Sequence, residues 1–90
     1  MPDKLLRADE VVWRKIDDNV VIVDVDATNI LTLNSTAAFL WEQCDGTRNE
    51  KEIAEVMADT YDADYNEILE DVTETTKQLE EKGLLYWSNS

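Results

Sequence analysis

At Asn34 this chain changes from sequence that reads as strand to sequence with the 3.6-residue period of a helix. Just upstream, Ile30-Leu31-Thr32-Leu33 reads as a short apolar strand. Downstream, Ala37, Leu40, Trp41 and Cys44 fall at i, i+3, i+4 and i+7, which gives a short helix one wholly apolar face. Asn34 or Ser35 supplies the cap, because a short side-chain oxygen there accepts from an otherwise unpaired N–H of the first turn. Gly46 supplies the stop. Strand and helix meeting this abruptly must share one core, which points to an α+β domain.

The segments on either side extend that reading. Val11 to Ile16 is rich in β-branched and aromatic residues and predicts a first strand, Asp17-Asp18-Asn19 a turn, and Val20 to Val25 a second strand. Asp24 on one side of that second strand implies that Val21, Val23 and Val25 face the core. Residues 26–29 make the next turn before the third strand, Ile30–Leu33. Short connections favour a three-stranded antiparallel meander with the second strand in the middle, leaving the third strand one free edge. Asp24, Asp26 and Thr28 match the first alternating positions of a calcium loop, but Asn29 stands where Gly is required and Ser35 where Glu is required, so calcium is discarded.

Beyond Gly46, Thr47 or Asn49 caps a second helix with Glu50 and Glu52 in its first turn; Ile53, Val56, Met57, Thr60 and Tyr61 line one side of it. A third helix runs from Asp64 to Lys82 and stops at Gly83. Tyr65, Ile68, Leu69, Val72, Thr76 and Leu79 form its apolar stripe, and Glu67, Glu70, Asp71 and Glu74 stand opposite. Ile68, Asp71, Thr75, Gln78 and Lys82 make a mixed strip at the border between the two faces. Leu84 to Trp87 is too apolar to hang free and is expected to fold back on the core. Residues 1–10 show no sustained period and are expected to form a flexible tail, with 88–90 loose, so the domain is placed at 11–87.

Composition removes several function classes. Twenty-one acidic residues against eight basic ones give a net charge of −13, and residues 42–82 carry 14 acidic and 4 basic side chains. Such a surface repels phosphate backbones, so nucleic acid is not an expected partner. With no histidine, a Cys/His zinc site or a Cys–His nucleophile pair cannot be built. No Gly-rich loop or metal-spaced cluster is present, so neither catalytic residues, a cofactor nor a metal can be nominated. Cys44 is the sole cysteine and reads as a buried small hydrophobe. No apolar run approaches membrane-spanning length and no cationic apolar leader precedes the domain, which places the protein in the cytoplasm, away from membranes.

The series Leu33-Asn34-x-Thr36-Ala37-Ala38-x-Leu40-Trp41, then Cys44-Asp45-Gly46-Thr47-Arg48, resembles the signature of the PqqD family. Glu52-Ile53-Ala54, Tyr61, Asp71-Val72, Leu79 and Gly83-Leu84-Leu85 follow at about the family's spacings. The resemblance implies a RiPP recognition element: a small winged helix-turn-helix-like module that holds the leader segment of a precursor peptide for a modifying enzyme, often a radical SAM protein. Thr75 and Thr76 stand where the family usually has larger apolar residues, a departure that either opens a groove or is filled by Phe39 or Trp41.

Three functions follow from these residues. An acidic carrier protein would need its Ser in an Asp-Ser-Leu context, whereas Ser35 lies in Asn34-Ser35-Thr36 and the strand-rich first third does not suit a helical carrier. A winged-helix protein–protein adaptor without a peptide role is the second. The reading that absorbs most observations is a peptide-binding module using strand addition, in which an extended peptide pairs with a free edge while side chains enter pockets beside it. Edges are normally blunted by Lys, Pro or a bulge, and Ile30–Leu33 has none. The expected site is Ile30, Leu31, Thr32 and Leu33 with Ile68, Asp71, Val72 and Thr75; apolar peptide side chains would lodge against Ile68 and Val72, and any basic one near Asp71 or Glu74. An open edge also permits a homodimer when no peptide is bound.

Overall fold

The computed structural model describes residues 4–9, 11–23 and 30–88. Its elements run β1 (Lys4–Arg7), β2 (Val12–Ile16), β3 (Asn19–Val23), β4 (Ile30–Leu33), α1 (Ser35–Gln43), α2 (Glu50–Tyr61), α3 (Tyr65–Glu81) and β5 (Leu85–Ser88). The three-stranded antiparallel sheet β2-β3-β4 followed by three helices is the expected arrangement. Residues 24–29, which carry the end of the expected second strand, the following turn and the calcium-like pattern, lie outside the described residues, as do Asn89 and Ser90.

Caps fix the helix starts. Asn34 accepts from Ala37 N at 2.9 Å at the head of α1, and Asp64 accepts from Glu67 N at 3.1 Å at the head of α3. Asn49 and Glu52 exchange bonds of 2.9 and 3.0 Å, a capping box that satisfies two orphan N–H groups at the start of α2. α3 ends as its glycine predicts: Gly83 takes φ 75, its N–H reaches Glu80 O, and Leu84 N reaches Leu79 O, which satisfies two of the last carbonyls.

The core joins both sheets to the helices through Val20, Ile22, Leu33, Leu40, Trp41, Ile53, Met57, Val72, Leu79 and Leu85. Two expectations are corrected. Residues 4–7 are a strand and not a flexible tail. β1 pairs antiparallel with β5, Leu5 opposite Trp87, and Leu5 is fully buried. Burying that one side chain stabilises the fold by about 1.5–3 kcal/mol, enough to order a short strand already held by backbone bonds on both sides. The Leu84–Trp87 segment folds back on the core as expected, with Leu84 and Leu85 buried and β5 paired with β1.

The second correction is the inward face of β3. Val20 and Ile22 are buried, whereas Val21 and Val23 are only half-buried. Leu33 pairs with Val20 and Leu31 with Ile22, and the chain turns from Leu33 straight into α1. The helices therefore lie on the Leu31/Leu33 face, and the register carries Val20 and Ile22 with them. The described ladder ends at Val23, so Asp24 does not decide the parity.

Candidate functional site

Backbone groups of β4 divide into two sets, and the β2–β3 turn determines which. Ile16 and Asn19 flank a two-residue turn, Asp17-Asp18, in which Asp17 takes φ 57, a conformation aspartate tolerates better than most residues. In such a turn the flanking residues exchange hydrogen bonds, and bonded and non-bonded pairs then alternate along the ladder. Asn19, Val21 and Val23 thus bond to β2, while Val20 and Ile22 bond to Leu33 and Leu31 of β4. By the same alternation the N–H and C=O groups of Ile30 and Thr32 point away from β3. Among the described residues no strand pairs with that edge.

Side chains on β4 alternate in the complementary sense. Ile30 is 71% exposed and Thr32 is exposed on the outer face, whereas Leu33 is buried and Leu31 half-buried on the helix side. The opposite edge of the sheet, on β2, carries Lys15, which reaches Glu42 of α1 at 3.4 Å. Lysine at an edge discourages further pairing.

Where β4 ends, a groove of about 400 Å³ opens between the start of α1 and α3. Asn34, Thr36 and Ala37 form one wall; Asp71, Glu74, Thr75 and Gln78 form the other; Leu40, Met57 and Val72 lie at the base. Three expected site residues, Asp71, Val72 and Thr75, meet here. Val72 is only 1% exposed, so it offers a base and not a wall, and Ile68, at 8%, lies outside the lining. Glu74, expected beside Asp71 for a basic side chain, also lines the groove, whereas Asn34, Thr36, Ala37, Leu40 and Met57 were not among the expected residues. The signal for Asn34 was its cap: a residue that ends the strand and starts α1 has to sit at the mouth of anything formed beside either.

Thr75 lines the groove, while Thr76 is buried behind it. Neither candidate aromatic fills the space: Phe39 packs edge-on against Tyr61, with centroids 5.6 Å apart, and Trp41 edge-on against Trp13, at 6.0 Å. Cys44 is buried with Sγ 3.2 Å from Leu40 O, and burial pushes its thiol up to about 12, far from a reactive thiolate. Among the described residues, no cluster of three or more acidic, His or Cys side chains is placed to hold a metal ion, and no helix is long and apolar enough to cross a membrane.

Comparison with known proteins bears on this geometry. The model of the PqqD family, coenzyme PQQ synthesis protein D, matches residues 19–85. The PqqA binding protein of Xanthomonas campestris pv. campestris (strain B100) is 39% identical over 56 residues, 62% of this chain and 61% of that protein; the chain thus matches less than two thirds of that relative's length. Among solved structures, TbiB1 in complex with the TbiA(beta) leader peptide superposes with a TM-score of 0.82 at 22% identity, over 94% of this chain and 99% of that one. A lasso peptide synthetase B1 complexed with its leader peptide gives 0.80 at 18% identity, over 92% and 98%. The PqqD truncation of Methylobacterium extorquens PqqCD, a stand-alone RiPP recognition element, gives 0.75 at 23% identity, over 91% and 87%. These likenesses establish the winged helix-turn-helix-like fold, which includes the groove-forming elements.

Proposed function

The chain belongs to the PqqD family, and from that membership and the open β4 edge we propose that it binds the leader segment of a ribosomally synthesised precursor peptide and presents it to a modifying enzyme. The single observation that carries the reading is the pair of unpartnered backbone sets at Ile30 and Thr32, on the strand that runs into Asn34 at the groove between α1 and α3. A peptide lying antiparallel to β4 satisfies these donors and acceptors, and its alternate side chains fall on the helix side, toward Asp71 and Thr75 with Val72 beneath. The protein then acts as an adaptor without chemistry of its own, and the partner that acts on the peptide is a radical SAM enzyme in the cytoplasm. When no peptide is bound, the same edge allows a homodimer.

Leader-bound relatives of the same fold support the peptide reading. Affinity is set by how far backbone pairing and groove contacts outweigh the lost freedom of an extended peptide, and a dissociation constant on the order of micromolar is expected. The test is an amide chemical-shift titration with a panel of synthetic precursor leader peptides. Shifts should concentrate on Ile30–Leu33 and on α3 from Glu67 to Gln78. A map centred on α2 or β2 overturns strand addition even if the peptide binds.

A further inference from the structure

The proposed strand addition leaves open which side chain the groove selects, and the inference here rests on that reading. We propose that the groove is a subsite for one lysine or arginine side chain of the bound peptide, delivered by the residue that lies opposite Leu33.

Register singles out the position. Residues directly opposite each other in an antiparallel pair place their side chains on the same face. The residue opposite Leu33 therefore points to the helix side, at the end of β4 where Asn34 begins the groove wall. Its two neighbours in the peptide point to the outer face. The residue opposite Leu31 also points inward, but two positions farther from the groove mouth.

Chemistry singles out the side chain. Asp71 and Glu74 present carboxylates on the α3 wall, Thr75 and Gln78 add acceptors, and Leu40 and Met57 give the base an apolar strip. A side chain with an aliphatic stem and a cationic tip matches both parts. No lysine or arginine lines the groove, and among the described residues neither Asp71 nor Glu74 has an ion-pair partner within 4.0 Å. The N-terminus of α1 opposes a cation, but it amounts to roughly half a charge against two carboxylates, and the Asn34 side chain already occupies Ala37 N. At about 400 Å³ the space has room for one long side chain together with its hydration water.

The experiment uses the full ¹⁵N-labelled chain and short synthetic peptides of alternating threonine and leucine. Lysine, norleucine or glutamate is walked along the inward-facing positions. Norleucine keeps the stem and removes the charge. Among peptides that shift the Ile30–Leu33 amides, lysine at one position should bind about fivefold tighter than norleucine, the scale of an exposed ion pair at low salt, with glutamate weaker than both. In the double variant Asp71→Asn, Glu74→Gln the lysine-to-norleucine ratio should fall to about one. Melting curves establish that the variant is folded. Equal affinities for lysine and norleucine at every position, with β4 still shifted, overturn the cation subsite and leave strand addition standing. A lysine preference that survives in the double variant also overturns it, since the overall charge of −13 would then be the cause. If no peptide shifts β4, strand addition fails and the subsite with it.

Discussion

β1 and β4 are both four-residue strands, yet one is closed on both sides and the other on one. In β1, Leu6 faces β5 and Ala8 N, just beyond the strand, reaches Leu84 O. The alternate set is also satisfied: Leu5 N reaches Arg48 O at 2.8 Å, Gly46 N reaches Leu5 O at 2.8 Å, and Arg7 N reaches Cys44 O at 2.9 Å. Gly46 makes this closure possible, since it takes φ 88 and a Cβ there would lie 3.3 Å from Leu6 Cδ1. In β4, Leu31 and Leu33 face β3, and the groups of Ile30 and Thr32 face no described strand. The lesson is that backbone pairing holds the termini to the core at β1 and is left available at β4.

The largest effect should come from truncating the closed strand. Leu5 is fully buried and Ile30 is 71% exposed, although both are aliphatic residues in strands of equal length. Leu5→Ala should cost about 2–5 kcal/mol, a large share of the whole stability of a domain this size. Ile30→Ala should stay within about 0.5 kcal/mol. Urea midpoints of the two variants measure the contrast directly, and similar shifts would show that β1 is not part of the cooperative unit.

Next in size is the side chain that locks β1 to α1. Arg7 Nη1 donates to Trp41 O at 3.0 Å and Glu42 O at 3.1 Å, the carbonyls at the end of α1, and its guanidinium lies 5.1 Å from the centroid of Trp13. Arg7→Met keeps the stem and removes both bonds, which should cost about 1–3 kcal/mol. Cys44 reports on the same region. Its thiol should resist alkylation at pH 8 in the native protein, and labelling should accelerate in Arg7→Met because β1 opens more often.

The pH dependence has a defined sign. Folded Cys44 keeps its proton to about 12, while an exposed thiol loses it near 9.0, so the folded state binds more protons between those values. Stability from the buried neutral thiol is complete below 9.0 and is lost as pH rises through about 12. Cys44→Ala should flatten the alkaline limb of a stability profile relative to the parent. An unchanged limb would place the loss elsewhere.

The same contrast explains what the sequence made legible. β4 was readable to the residue because Asn34 caps the next helix, and the three helices were readable from Asn34, Asn49, Asp64 and Gly83, all local signals. β1 was not, since its partner lies at the other end of the chain and no turn chemistry announces the pairing. The face of β3 was missed for a different reason: Val20-Val21-Ile22-Val23 has no period, so its parity is set by Leu31 and Leu33 across the ladder. In the candidate site, Asp71 and Thr75 could be found from spacing along α3, but Leu40 and Met57 could not, because the groove exists only once three helices pack.

A small effect on stability and the sharpest on binding should coincide at Thr32. Proline deletes a donor, and within a sheet it is tolerated where that donor faces outward from an edge. The register assigns Thr32 N–H to the open edge and Leu31 N–H to β3. Thr32→Pro should therefore lower stability by no more than about 1 kcal/mol, while Leu31→Pro, which breaks the ladder and displaces an inward side chain, should cost about 3 kcal/mol or more. Peptide affinity should fall at least about tenfold in Thr32→Pro, since a pairing bond is lost and the ring obstructs approach of the added strand. Thr32→Ala, which trims the outer-face side chain and keeps the donor, should bind within about twofold of the parent, like other exposed side chains at an interface rim. Calorimetric titration of the two variants, with melting curves alongside, separates backbone pairing from side-chain contact. Equal losses from alanine and proline would mean that the peptide reads the Thr32 side chain and not the strand edge.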